Sequence, residues 1–140
     1  GSIDGMAAKG IHHVGVAVAE LDDLVRTWET LLGAKVEHRA TVEDQGVEAV
    51  SIRVGTGRIE LLRPLAPDTP VGKFLAKRGP GMHHVAFAVD DVAEELARVA
   101  AAGATLIDEK PRVGLFGLQV AFIHPDTTGG VLAEFVSDGE

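Results

Sequence analysis

Two histidine pairs and two strand carboxylates are the residues of this sequence whose types and spacing suit metal chemistry. The pairs open matching apolar segments, IHHVGVAV at 11–18 and MHHVAFAV at 82–89, which agree at five of eight positions. The carboxylates are Glu60 in RIELLRPL and Glu134 in VLAEFVS, each inside a short apolar run. A carboxylate in a half-buried strand is costly unless something pairs with it. Side chains alternate along a strand. His13 therefore shares a face with Gly15 and Ala17, and His84 with Ala86 and Ala88. The bulkier Val14, Val16 and Val18, and Val85, Phe87 and Val89, take the opposite faces. Small neighbours leave space beside each histidine, which suits a pocket better than a packed core.

If Glu60 and Glu134 turn toward those faces, two neutral imidazoles and two carboxylates converge. Such a set holds a divalent cation and neutralises its charge, and donors without sulfur fit Co, Ni, Mn, Zn or Fe(II). Taken singly, a strand histidine is more often an ordinary hydrogen-bonded residue, and His12 and His83 on the opposite parity are read that way. An isolated Glu60 would pass for an edge-strand charge. The coincidence of two histidines and two acids at matching places in a repeat favours the metal reading.

The elements that must position these residues are also written twice. After 11–18, Leu24, Val25, Trp28, Leu31 and Leu32 line one face of a helix over 22–32, opened by Asp22 or Asp23 and stopped by Gly33. Strands are expected near 34–42, 46–54 and 58–63. In the second half MHHVAFAV is a strand, and DDVAEE opens a helix carrying Val92, Leu96, Val99 and Ala100, closed by Gly103. Strands follow near 104–107, 117–124 and 131–137. A shift of 71 residues places His13 on His84 and Glu48 on Gln119; three more residues near HPDTTGG bring Glu60 onto Glu134.

The expected fold is thus α+β, with two tandem βαβββ units at 10–63 and 83–137. A linker at 64–82 carries a short helix from about 70 to 78, and the whole forms one structural domain. Residues 1–5, GSIDG before Met6, read as an expression scar.

Composition narrows the functional classes. The 140 residues are 46% hydrophobic and 24% charged, as in a globular protein. No apolar run approaches the ~20 residues of a membrane span. There is no cysteine, which excludes disulfides, thiolate ligands and a cysteine nucleophile, and which fits a cytoplasmic protein. The net charge of −8 and the 4% aromatic content speak against nucleic acid and anionic membranes as partners.

With IHHVGVAV, QGVEAVSI, PVGKFLAKRGPGMHHVAFAVDDV and FIHPDTTGGVLAEFV, the chain from about Gly10 to Ser137 resembles the vicinal oxygen chelate superfamily. Within it, the chain is most similar to the methylmalonyl-CoA epimerase family. The resemblance implies a half-open eight-stranded metal-binding barrel, a coenzyme A thioester substrate, and interconversion of (2R)- and (2S)-methylmalonyl-CoA. It also implies one divalent metal ion, Co favoured over Ni, Mn or Zn, and a homodimer. His13, Glu60, His84 and Glu134 fall on the metal-ligand positions, Glu48 on that of a catalytic base, and Glu134 on that of its partner base. Some family members carry Gln at the position of Glu60, so this site would be one charge more negative. Lys73, Lys77, Arg78 and Arg112 are cations within reach of a linker or loop, and GLFGLQ at 114–119 is a loop able to approach a ligand. The rival readings on the same scaffold are a glyoxalase I-type metal isomerase, an extradiol dioxygenase and a metal-free small-molecule-binding protein. The first shares the ligand set but lacks QGVE and the KFLAKRGPG linker.

Overall fold

The computed structural model describes residues 7–137, so the scar expected at 1–5 lies outside the described residues. The chain forms two compact units, one of His13–His83 and one of His84 onward with the residues up to His12. The first holds most of strand β1 (Gly10–Ala17), helix α1 (Asp22–Leu32), strands β2 (Val36–Val42), β3 (Val47–Val54) and β4 (Gly57–Pro64), and helix α2 (Pro70–Arg78). Strand β5 (Gly81–Ala88) carries the chain into the second unit. There follow helix α3 (Val92–Ala101) and strands β6 (Arg112–Val113), β7 (Gln119–Ile123) and β8 (Ala133–Ser137). The class is α+β, and the βαβββ order occurs twice.

Each half has the same strand connections. In the first, β2, β3 and β4 are antiparallel neighbours and β1 lies parallel to β4. In the second, β6, β7 and β8 are antiparallel neighbours and β5 lies parallel to β8. The registers repeat as well: Gly15 opposes Glu60 as Ala86 opposes Glu134, and Ser51 opposes Glu60 as Phe122 opposes Glu134.

Both long helices bury most of the stripe that the sequence displays; Leu31, expected on the buried face of α1, is instead 71% exposed. On α1, Leu24, Val25, Trp28 and Leu32 pack with Val16 and Val18 of the β1 segment and with Val50, Ile52 and Leu61. Asp22 and Asp23 occupy its first turn, where negative charge suits the dipole, and Gly33 ends it at φ 63. On α3, Val92, Leu96 and Val99 pack with Val89, Ala121, Ile123 and Ala133. Its start is fixed by Asp91, whose carboxylate accepts the Glu94 N–H at 3.0 Å. Helix α2 opens with Thr69 accepting the Gly72 N–H at 3.0 Å and with Pro70 in its first turn.

The strand boundaries differ from expectation in two places with physical causes. Strand β2 begins at Val36 rather than 34 because Ala34 and Val36 still donate to the Glu29 carbonyl and carboxylate. The strand expected at 104–107 is not formed; Leu106 makes an isolated bridge to Ile123, and the pairing strand is β6 at 112–113. Asp108 explains the displacement. Its Oδ2 accepts the Phe122 N–H at 2.8 Å, taking a ladder donor from β7 that a strand carbonyl would otherwise receive.

Candidate metal centre

Within the first unit, cross-strand register decides which side chains share a face. Glu60 lies between Gly15 of β1 and Ser51 of β3, and His13 stands two residues before Gly15 on the same side. The opposite face of these strands carries Val50, Ile52 and Leu61 toward α1. His13 Nε2 stands 3.4 Å from Glu60 Oε1, and both residues are buried, 4% and 1% exposed.

The second unit builds the same pair. Glu134 lies between Ala86 and Phe122, with His84 two residues before Ala86. His84 Nε2 is 3.3 Å from Glu134 Oε1, and each residue is 6% exposed. Phe122 meets the His84 ring edge-on with centroids 5.5 Å apart, which fixes the imidazole plane. Small Val and Ala residues complete this face: Ala86, Val120 and Val136 form a cluster beside Glu134.

These distances fit ligation. Two donors bound at ~2.1 Å to one cation stand about 3.0–3.4 Å apart at octahedral or tetrahedral angles. The His–Glu separations of 3.4 and 3.3 Å match that spacing, and each pair belongs to a His/carboxylate group whose ligand atoms lie within 4.8 Å of one another. Imidazole nitrogen with carboxylate oxygen is the donor type of Co, Ni, Mn and Zn sites.

Glu48, which the resemblance puts at the position of a catalytic base, opposes Arg63 and lies three residues from Ser51, on the α1 side of β3 with Val50 and Ile52. There Arg63 Nε and Nη2 donate to its Oε1 at 3.1 and 3.0 Å, and Arg39 Nε donates to its Oε2 at 3.0 Å. Arg39 in turn donates to Asp22 Oδ1 at 2.9 Å, tying β2 to the start of α1. The hydrogen bonds from Arg63 and then Arg39 hold the Glu48 carboxyl below the usual carboxylate range. A carboxylate so held is a weak proton acceptor.

Ser51 is the residue that sequence reasoning passed over. It shares the face of Glu60, is 1% exposed, and its hydroxyl has no hydrogen-bond partner. Its parity with Glu60 was legible once the β3–β4 register was known; nothing in QGVEAVSI alone gives that register.

Of the cations, Arg78 lies over Phe74 at 5.8 Å and His83 meets the same ring edge-on at 5.0 Å. Arg112 lies over Phe122 at 5.5 Å and donates to Asp108 at 3.2 Å. In the 114–119 loop Phe116 adopts φ 59, the one non-glycine positive φ among the described residues.

The model of the glyoxalase/bleomycin resistance protein/dioxygenase superfamily matches residues 12–122. Mitochondrial methylmalonyl-CoA epimerase of Bos taurus is 34% identical over 89% of this chain and 71% of its own length. An uncharacterized Bacillus subtilis protein, YqjC, is 40% identical over 89% of each chain. A solved Streptomyces coelicolor methylmalonyl-CoA epimerase variant, in complex with 2-nitronate-propionyl-CoA, superposes with a TM-score of 0.89 at 34% identity. That match covers 94% of this chain and 95% of the other. The chain belongs to this superfamily and, within it, to the methylmalonyl-CoA epimerase family. Among the described residues no helix is long and apolar enough to cross a membrane.

Proposed function

We propose that this protein epimerises (2R)- and (2S)-methylmalonyl-CoA at C2, with His13, Glu60, His84 and Glu134 as the ligands of one divalent cation. One observation carries the reading: a buried His–Glu pair stands at the same register in both halves, with ligand atoms at ligation spacing. The epimerase relatives and the thioester held by the Streptomyces coelicolor enzyme support the substrate class. Cobalt is the ion this proposal favours.

The C2 proton lies between a thioester carbonyl and a carboxylate, and is too weakly acidic for a lone glutamate to remove quickly. A bound divalent cation supplies positive charge beside the oxygen on which enolate charge develops. The chain's own residues do the rest. His13 and His84 would supply nitrogen donors, and the ring of the second packs edge-on against Phe122. The C2–H bond breaks with its electron pair delocalising toward the thioester oxygen, and the proton passes to Glu134. Delivery of a solvent-derived proton to the other face re-forms C2–H with inverted configuration, and Glu134 returns its own proton to water. Participation of such groups contributes roughly 10²–10⁴-fold. Glu48, on the α1 side, takes no part.

Deuterium exchange at C2 of methylmalonyl-CoA in D₂O, followed by NMR on cobalt-loaded and chelator-stripped protein, tests the reading. Rapid exchange that needs the metal is expected. Absence of exchange by folded, cobalt-loaded protein overturns the substrate assignment.

A further inference from the structure

Ser51 breaks the equivalence of the two halves on the very faces that carry the histidines. The residues beside Glu60 are Gly15, which has no side chain, and Ser51; those beside Glu134 are Ala86 and Phe122. In the second half the lateral position is filled by a ring packed against His84. In the first half it holds a short side chain whose hydroxyl is buried, 1% exposed, and without a partner. Buried hydroxyls are almost always bonded, and leaving one unsatisfied is destabilising, so such a group in a native fold points to a ligand atom that completes it.

We infer that Ser51 is a specificity-determining residue, donating its Oγ–H to a carboxylate oxygen of the substrate's acyl group held beside Glu60. The inference rests on the epimerase reading and deepens it. The hydroxyl distinguishes a 2-carboxyacyl thioester from a plain acyl thioester, because a site built around a buried donor rejects a ligand that leaves the donor unpaired. The first half offers a buried hydroxyl beside Glu60 where the second half offers a ring beside Glu134, so the acyl carboxylate is assigned to the first half.

Calorimetric titration of cobalt-loaded wild type, Ser51→Ala and Ser51→Cys with malonyl-CoA and with propionyl-CoA tests this. Both variants should lose about tenfold in affinity for malonyl-CoA and keep their propionyl-CoA affinity within about twofold. The metal-free Ser51→Ala protein should melt at or above the wild-type temperature, since an unsatisfied hydroxyl has been removed. Equal losses for both thioesters, no loss for either, or a fall in the melting temperature of the metal-free variant overturns the assignment of Ser51. A wild type that binds malonyl-CoA no better than propionyl-CoA overturns the substrate reading itself, and Ser51 with it.

Discussion

Replacing Glu48 with Gln separates a structural carboxylate from a catalytic one. In the structure Glu48 accepts two N–H bonds from Arg63 and one from Arg39, and its side chain is 19% exposed. A charge-assisted hydrogen bond contributes about 1.5–3 kcal/mol when buried, but an exposed ion pair only about 0.2–1 kcal/mol. Both arginines are more than a third exposed or close to it, at 43% and 35%, so the lower range governs. Glutamine keeps one acceptor oxygen and turns an amide N–H toward a guanidinium. The expected loss is about 1 kcal/mol, or roughly 4 °C in melting temperature for a chain of this size.

The same variant should exchange the C2 proton of methylmalonyl-CoA within about threefold of wild type, whereas removal of a general base costs about 10²–10⁴-fold. Thermal melts and the NMR exchange assay, run on the same cobalt-loaded samples, read both quantities. The pH dependence supplies a further check. Because the folded carboxyl is held below its ordinary range by Arg63 and then Arg39, its contribution is present above the unfolded value of about 4.3. It is lost as the pH falls through the folded value. The gap in melting temperature between wild type and Glu48→Gln should be full at pH 7 and close below about pH 4.3. A hundredfold fall in exchange with an unchanged melt would refute the assignment of Glu48 to the α1 side of the strand.

Two further outcomes are expected. His84→Ala should weaken cobalt binding by more than about a hundredfold in calorimetry, while the melt of the stripped protein stays close to wild type. Gly72→Ala should destabilise the fold by about 1–3 kcal/mol in urea unfolding. Its Cβ would clash with the Ala66 carbonyl oxygen and meet that of Pro67 at 2.7 Å, neither of which can step aside as a side chain could.

Periodicity carried most of the fold. The apolar stripe of 22–32 and the Thr69–Pro70 start of 70–78 are local signals, and helices stand at those bounds. The His–Glu pairs were legible for a related reason: a two-residue parity and a repeat shift need no knowledge of register. What escaped depended on side chains acting as backbone partners. Asp108 takes the Phe122 N–H and moves the pairing strand from 104–107 to 112–113, and no periodicity records that exchange. The face of Glu48 depended on register too. QGVEAVSI contains a carboxylate and a hydroxyl three residues apart, and three is odd, so only one of them can share a face with Glu60.

The repeat also explains why Glu48 drew attention. Glu48 and Gln119 are equivalent positions, and the loss of charge between them looks like an asymmetry placed for catalysis. Their cross-strand partners say otherwise: Glu48 opposes Arg63, whereas Gln119 opposes Ser137, whose hydroxyl donates to the Asp90 carbonyl at 3.0 Å. A carboxylate stands where a guanidinium faces it and an amide where none does, so cross-strand pairing accounts for the difference without chemistry. The next equivalent pair, Ser51 and Phe122, has no such account. Both oppose a buried glutamate on the histidine face, yet one is a ring packed against His84 and the other a buried hydroxyl without a partner. Asymmetry that packing does not explain falls on the face where a ligand is expected, and that is where a two-fold repeated scaffold must differ to handle a substrate that has no two-fold symmetry.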